Sequence, residues 1–345
     1  MQAGKISLEF LSRLLDSIEI TDPRVVLGPK PGEDAALIDL NNRYLVTKMD
    51  PITFATDHIA WYLVNVNAND LAVMGAKPRW LMASLLFPEG TTPEIITKTF
   101  NELIMACESL EISLVGGHTE ITYGISRPMA VGAMFGEVKK NRVVLTSGAS
   151  PGDAILLTKG IAIEGASILA REATDELKRK GIKSNILKHA EDFIFDPGIS
   201  VLKEAILACD TVKLNCMHDP TEGGLVTGLH EIAKAADVGM IVNADQIPIL
   251  PECKSICEAL DIDPLGLISS GALLATLSPL EASKLIEILA DQDIPAYNIG
   301  RITLPEEGVN LIQGTISRDM PVFRRDELAR YFGNNSQSTS SENIH

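Results

Sequence analysis

The 345-residue sequence contains no Cys-x-x-Cys pair, and its five cysteines (Cys107, Cys209, Cys216, Cys253, Cys257) sit mostly among apolar neighbours. An odd number at such spacings excludes a zinc or dithiol centre of that pattern and predicts buried free thiols. Positive charge is scarce: 30 Lys and Arg against 46 Asp and Glu leave a formal net charge of −16. So acidic a chain offers no basic face to a nucleic-acid backbone. No apolar run approaches the ~20 residues needed to cross a bilayer. The opening Met-Gln-Ala-Gly-Lys-Ile-Ser-Leu-Glu-Phe also lacks the apolar core of a signal peptide. No membrane association and a cytoplasmic location are therefore expected. Neither Gly-x-x-x-x-Gly-Lys-Ser/Thr nor Gly-x-Gly-x-x-Gly after a strand occurs, so a nucleotide would need another device. No short-period repeat is present.

What is present is an ordinary globular composition, 46% hydrophobic and 22% charged, with length enough for two domains. Strand and helix signals alternate, which predicts an α+β, mixed-sheet architecture. The first half reads as a helix over 6–20, a hairpin turning at Asn41-Asn42, a helix over 57–74 and a strand over 80–87. A helix starting at Thr92-Pro93-Glu94 and strands over 113–115 and 128–138 follow. Pro151-Gly152-Asp153 marks a boundary between domains over 1–150 and 151–330. The second half predicts helices near 163–180, 198–208, 224–236, 251–260 and 279–291, with 173–192 as a solvated excursion. Residues 331–345, rich in Asn, Ser and Thr, are expected to be disordered.

The stretch Asn65–Pro78 stands out. It closes the 57–74 helix, with Gly75 as the left-handed residue after the last turn and Pro78 as the stop. Asn65, Asn69 and Asp70 are poor helix-interior residues, and burying each without a partner costs about 1–3 kcal/mol. A helix carrying them between apolar flanks is expected to aim them at a polar ligand. Acids at strand ends and loop starts, namely Glu33-Asp34, Asp50, Asp70, His118 with Glu120, and Asp219, are the other candidates. Each alone is equally a turn former or helix cap. Gathered at one sheet edge they would repel one another unless cations joined them, and Mg²⁺ takes such oxygen ligands and shares them with phosphates. The glycine pairs Gly116-Gly117 and Gly223-Gly224 are either tight turns or places where backbone amides reach a phosphate.

In order along the chain stand Gly32-Glu33-Asp34-Ala35-Ala36, Asp50, Asn69-Asp70-Leu71-Ala72-Val73-Met74-Gly75-Ala76-Lys77-Pro78 and Gly116-Gly117-His118-Thr119. Pro151-Gly152-Asp153 and Asp219-Pro220-Thr221-Glu222-Gly223-Gly224-Leu225 follow. With these motifs the chain resembles the aminoimidazole-ribonucleotide-synthase (PurM-like) superfamily, whose members include selenophosphate synthetase, thiamine-monophosphate kinase and the hydrogenase-maturation protein HypE. The likeness is greatest to HypE. It implies two α/β domains and a homodimer whose N-terminal strands build a shared barrel. ATP with Mg²⁺ would lie in a cleft near that interface.

Carried over by position, Asp34, Asp50 and Asp70 would be metal ligands. Gly32, Asn69, Gly116, Gly117, Thr119, Gly223 and Gly224 would line the nucleotide. Asp219 and His118 would be catalytic, His118 as general base or as a group orienting Thr119 or a phosphate. The implied reaction is phosphorylation of an amide or acid oxygen by ATP. Departures bear on it. HypE carries a cysteine in a Pro-Arg-x-Cys tail, whereas the last cysteine here is Cys257, and His118 replaces the family aspartate of Gly-Gly-Asp-Thr. A non-catalytic ATP-binding dimeric scaffold, or a phosphotransferase of the selenophosphate-synthetase or thiamine-phosphate-kinase type, is the alternative.

Overall fold

A computed structural model describes residues 8–30 and 32–333. Six strands of the first half, β1 (Val25–Leu27), β2 (Ala36–Asp39), β3 (Arg43–Ile52), β4 (Lys77–Pro88), β5 (Ser113–Thr122) and β6 (Met129–Lys139), form one sheet. Its order is β1-β2-β3-β6-β4-β5. The β2–β3 hairpin turns at Asn41, whose φ of 70° suits asparagine. Helices α1 (Leu8–Leu15), α2 (Ile59–Val73) and α3 (Pro93–Ser109) accompany this sheet. The second half forms a seven-stranded sheet from β7 (Ala154–Thr158), β8 (Cys216–His218), β9 (Gly239–Asn243), β10 (Leu274–Leu277), β11 (Ala296–Thr303), β12 (Val309–Gln313) and β13 (Ile316–Asp319). Its helices are α4 (Ile163–Glu172), α5 (Thr174–Arg179), α6 (Ser184–Glu191), α7 (Leu202–Thr211), α8 (Gly224–Ala236), α9 (Pro251–Leu260) and α10 (Pro279–Ala290). Strand β7 lies inside the sheet and is buried throughout, which is why Ala-Ile-Leu-Leu-Thr runs apolar instead of alternating.

Helix α2 is buried almost all round, because it packs on the first sheet, on α3 and on α7 of the second half. Two expectations change. The 173–192 excursion buries Leu177, Leu187 and Ala190 against α4 and α9. Residues 327–333 are helical with Tyr331 buried, so order continues through Gly333, and the rest of the expected tail, 334–345, lies outside the described residues. No helix among the described residues is long and apolar enough to cross a membrane. The five cysteines are free thiols, and only Cys209 is not buried.

The halves are joined by polar bonds at α2. Asn69 Nδ2 donates to the Ile199 carbonyl at 2.8 Å, and its Oδ1 accepts from the Val201 N–H at 2.8 Å. Trp61 Nε1 donates to the Ile194 carbonyl at 3.0 Å, and Arg171 pairs with Asp57 at 2.9 Å. The sheet face turned away from α2 leaves Met49 and Met82 exposed, and the register Met49–Ala133–Met82 puts them on that same face.

Candidate active site

Asp34, Asp70 and Asp219 converge. One carboxylate oxygen from each lies within 4.8 Å of the other two, and all three residues are buried. Asp34 comes from the loop before β2, Asp70 from the last turn of α2, and Asp219 from the end of β8 in the second half. Both oxygens of Asp219 and Oδ2 of Asp70 have no hydrogen-bond partner among the described residues. A buried polar atom without a partner costs free energy, so these oxygens mark a place built for a donor or a cation. Burial, and then the neighbouring Asp34 charge, push the Asp219 carboxyl up to about 8; burial likewise lifts Asp70 well above the usual carboxylate range. An all-oxygen set free of Cys and His fits a hard divalent ion such as Mg²⁺.

Two resident cations border the cluster. Lys48 Nζ lies 3.1 Å from Asp70 Oδ1 and 3.4 Å from Asp50 Oδ2. Burial pulls its pKa down, but Asp70, Asp50 and Asp34 together carry it above the ordinary lysine value. His218 is buried with Nδ1 2.9 Å from Asp34 Oδ1 and Nε2 2.9 Å from Glu231 Oε2. Burial alone would lower its pKa; Asp34 and Glu231 raise it well above 6.5. Thr146 Oγ1 donates to Asp34 Oδ2 at 3.1 Å, which completes the hold on that carboxylate. None of Lys48, His218, Glu231 and Thr146 was singled out by sequence. The available signals were Lys48 two residues before Asp50 on a strand, hence on the same face, and His218 next to Asp219.

The other candidates disperse. Asp50 is not a strand end. It sits within β3 opposite Gly132, pairs with Lys48, and its N–H donates to Asn67 Oδ1 at 2.9 Å. It borders the cluster through Lys48, outside the converging trio. The amides of α2 are spent internally: Asn65 donates to the Trp61 carbonyl, Asn67 to the Leu63 carbonyl, and Asn69 bridges the halves. The expectation that Asn69 and its neighbours aim at a ligand gives way to a structural role, since each amide is bonded to backbone within the chain.

Gly116 and Gly117 lie inside β5, not in a phosphate-facing turn. Gly117 is demanded by packing, since a Cβ there would fall 1.9 Å from the Ala83 carbonyl oxygen. Along the register Asp50–Gly132–Ala83–Gly117 the β5 segment is three strand spacings from Asp50, about 14 Å. His118 pairs with Ser84, which shares a face with Val131 and Pro51, so its side chain leaves the face opposite Asp50. Its Nε2 contacts Glu120 at 3.0 Å in an exposed setting. Gly116, Gly117, His118 and Thr119 instead line a separate cavity of about 430 Å³ with Phe100 and Leu103. Within one chain, therefore, His118 is not the base of the aspartate cluster.

At the start of α8 the Gly223 N–H donates to Asp326 Oδ2 at 2.6 Å and the Gly224 N–H to the Thr221 carbonyl at 3.0 Å. Neither amide is open to a phosphate. Gly32 has φ +87°, and a Cβ there would meet Glu231 O of α8 at 3.1 Å; it allows the loop to approach α8 and so delivers Asp34.

A two-sheet α/β chain thus gathers aspartates from both halves in one buried cluster that could hold a metal ion. The family model described as AIR synthase related protein matches here, its N-terminal domain over residues 32–138 and its C-terminal domain over 150–310. The chain belongs to this AIR synthase related family. It is 30% identical over 331 residues to a hydrogenase expression/formation protein of Methanocaldococcus jannaschii, covering 92% of this chain and 95% of that one. It is 28% identical over 275 residues to the carbamoyl dehydratase HypE of Cupriavidus necator, covering 77% and 73% respectively. The solved structure of hydrogenase maturation protein HypE in complex with ATP superposes with a TM-score of 0.70 at 23% identity, over 92% of this chain and 96% of that one. That likeness shows the two-domain PurM-like fold.

Proposed function

We propose that this chain is a Mg²⁺-dependent, ATP-using enzyme of the HypE kind, which activates an amide or acid oxygen by phosphorylation and serves hydrogenase maturation. The observation that carries the reading is the convergence of Asp34, Asp70 and Asp219 with buried oxygens left without partners. The names of its relatives, a carbamoyl dehydratase and a hydrogenase expression/formation protein, and the ATP held by the solved HypE support it.

Asp34, Asp70 and Asp219 would hold the ion, and Mg²⁺ there would neutralise phosphate charge. The chain's own groups do the rest. His218 and Thr146 keep Asp34 in place, and Lys48 bridges Asp70 and Asp50 while adding a fixed positive charge. The acceptor oxygen bonds to the γ-phosphorus, the bond to the β,γ-bridging oxygen breaks, and ADP leaves. Such transfer depends on positioning and charge neutralisation, so no protein nucleophile is required. A homodimer through the outer face of the first sheet follows from the same reading, supported by the exposed Met49, Trp80, Met82 and Val115. His118 lies on that face and also lines the cavity beside Phe100 and Leu103, apart from the aspartate cluster.

Calorimetric titration of Mg·ATP into the wild type, Asp70→Asn and Asp219→Asn tests the site, followed by ADP formation with amide acceptors. Loss of binding in both variants is expected. Wild-type affinity in both would falsify the assignment.

A further inference from the structure

A second cavity, of about 710 Å³, opens at the other end of α2. It falls within the about 300–1,000 Å³ usual for small-molecule sites. His58, just before α2, and Asp70 in its last turn are about twelve residues apart, so roughly 18 Å of helix separates this cavity from the aspartate cluster. Its walls come from both halves: His58 and Trp61 at the start of α2, Glu94, Lys98, Glu102 and Met105 on α3, and Phe195 from the second half.

The chemistry of the lining is specific. Phe195 meets the His58 ring edge-on at 5.4 Å between centroids and the Trp61 ring at 5.0 Å. Phe195 and Met105 remain exposed despite this packing. His58 Nδ1 bonds the Glu102 carboxylate. A carboxylate only accepts, so Nδ1 carries a proton, while Nε2 lies 3.9 Å from the Asp57 carboxylate. His58 is held with φ +50°, a left-handed backbone uncommon for a residue with a side chain. Two carboxylates, Glu94 and Glu102, face one ammonium, Lys98, so the walls disfavour an anion. Aromatic faces attract cations. An amidinium or guanidinium can stack on such a ring and donate paired N–H bonds to a carboxylate.

We infer that this cavity binds a small planar cation of the arylamidinium or guanidinium class, stacked against Trp61 and Phe195 and hydrogen-bonded to Glu102. The site is separate from the nucleotide reading and stands without it. Benzamidine is the probe and benzoate its anionic isostere, each titrated calorimetrically into the full chain. Saturable binding of benzamidine at one per chain, with none of benzoate, is expected. Glu102→Gln, which keeps the shape, and Phe195→Ala should each weaken it about tenfold or more. Asp70→Asn should leave it unchanged, so failure of the nucleotide site is read separately. Trp61 fluorescence, isolated in Trp80→Phe, should change on binding. Equal binding of benzoate, absence of saturation, wild-type affinity in both cavity variants, or uptake of an arginine-bearing peptide but not of benzamidine would overturn the proposal.

Discussion

The imidazole of His218 bridges two carboxylates, with Asp34 at 2.9 Å from one ring nitrogen and Glu231 at 2.9 Å from the other. Both partners only accept, so both nitrogens carry protons and the ring is a buried cation. It joins β8 and α8 of the second half to the loop that bears Asp34.

His218→Gln leaves the buried Asp34 and the half-buried Glu231 without their shared cation, a loss of up to about 3–5 kcal/mol by analogy with other broken buried pairs. The pH dependence has a definite sign. The folded-state pKa of His218 is raised, so its stabilisation is complete below the unfolded value of 6.5 and is lost as pH rises through the folded value. Thermal melts of the wild type and His218→Gln should therefore differ most near pH 6 and approach each other in alkaline solution.

Glu164, in the first turn of α4, behaves oppositely to a salt-bridged acid. Burial pushes its carboxyl from 4.5 up to about 7. The folded chain thus holds a proton that the unfolded chain releases, and stability falls as pH rises from about 4.5 to 7, by about 3 kcal/mol at most. Glu164→Gln should remove that slope and be the more stable protein at pH 8. Urea denaturation at pH 5 and pH 8 measures the difference, and parallel slopes in the two proteins would count against it.

Asn69→Ala should act on the join between halves. It leaves the Ile199 carbonyl and the Val201 N–H without their partner, each worth about 1–3 kcal/mol when stranded in the interior. The melting temperature should drop. A variant of full stability with selectively lost Mg·ATP binding would instead restore Asn69 to the ligand.

Gly116 and Gly117 should separate sharply. A methyl at Gly117 meets the Ala83 carbonyl oxygen, whereas one at Gly116 finds only the Met82 methyl at 3.7 Å. Gly117→Ala should cost about 1–3 kcal/mol by forcing β5 off β4, and Gly116→Ala should change stability by less than about 1 kcal/mol. Both are read from chemical denaturation.

Local order set by short-range physics was open to reading along the chain. The hairpin at Asn41-Asn42, the start of α3 at Pro93 and the stop of α2 at Gly75 each depend on the backbone preferences of a few adjacent residues. Asp34, Asp70 and Asp219 were recognisable as acids in the right motifs. Their mutual distance was not, since it depends on how α2 docks against the second half. That docking also reassigned Asn69 to the join, while packing within the first half gave Lys48 to Asp50 and Asp70 and packing within the second filled the Gly223 amide with Asp326. His118 illustrates the limit. It stands at the aspartate position of the Gly-Gly-Asp-Thr motif, yet strand pairing carries it three strands away and onto the opposite face.

What residue order settled by itself is which side chains could bind an oxygen-loving cation and which helices and turns would present them. Whether those side chains meet, and which of them are already taken by neighbours, was decided by contacts between segments some 150 to 180 residues apart, such as Asp34 with His218. If Asp70 and Asp219 prove indifferent to the metal–nucleotide complex, that meeting is architecture and not a site.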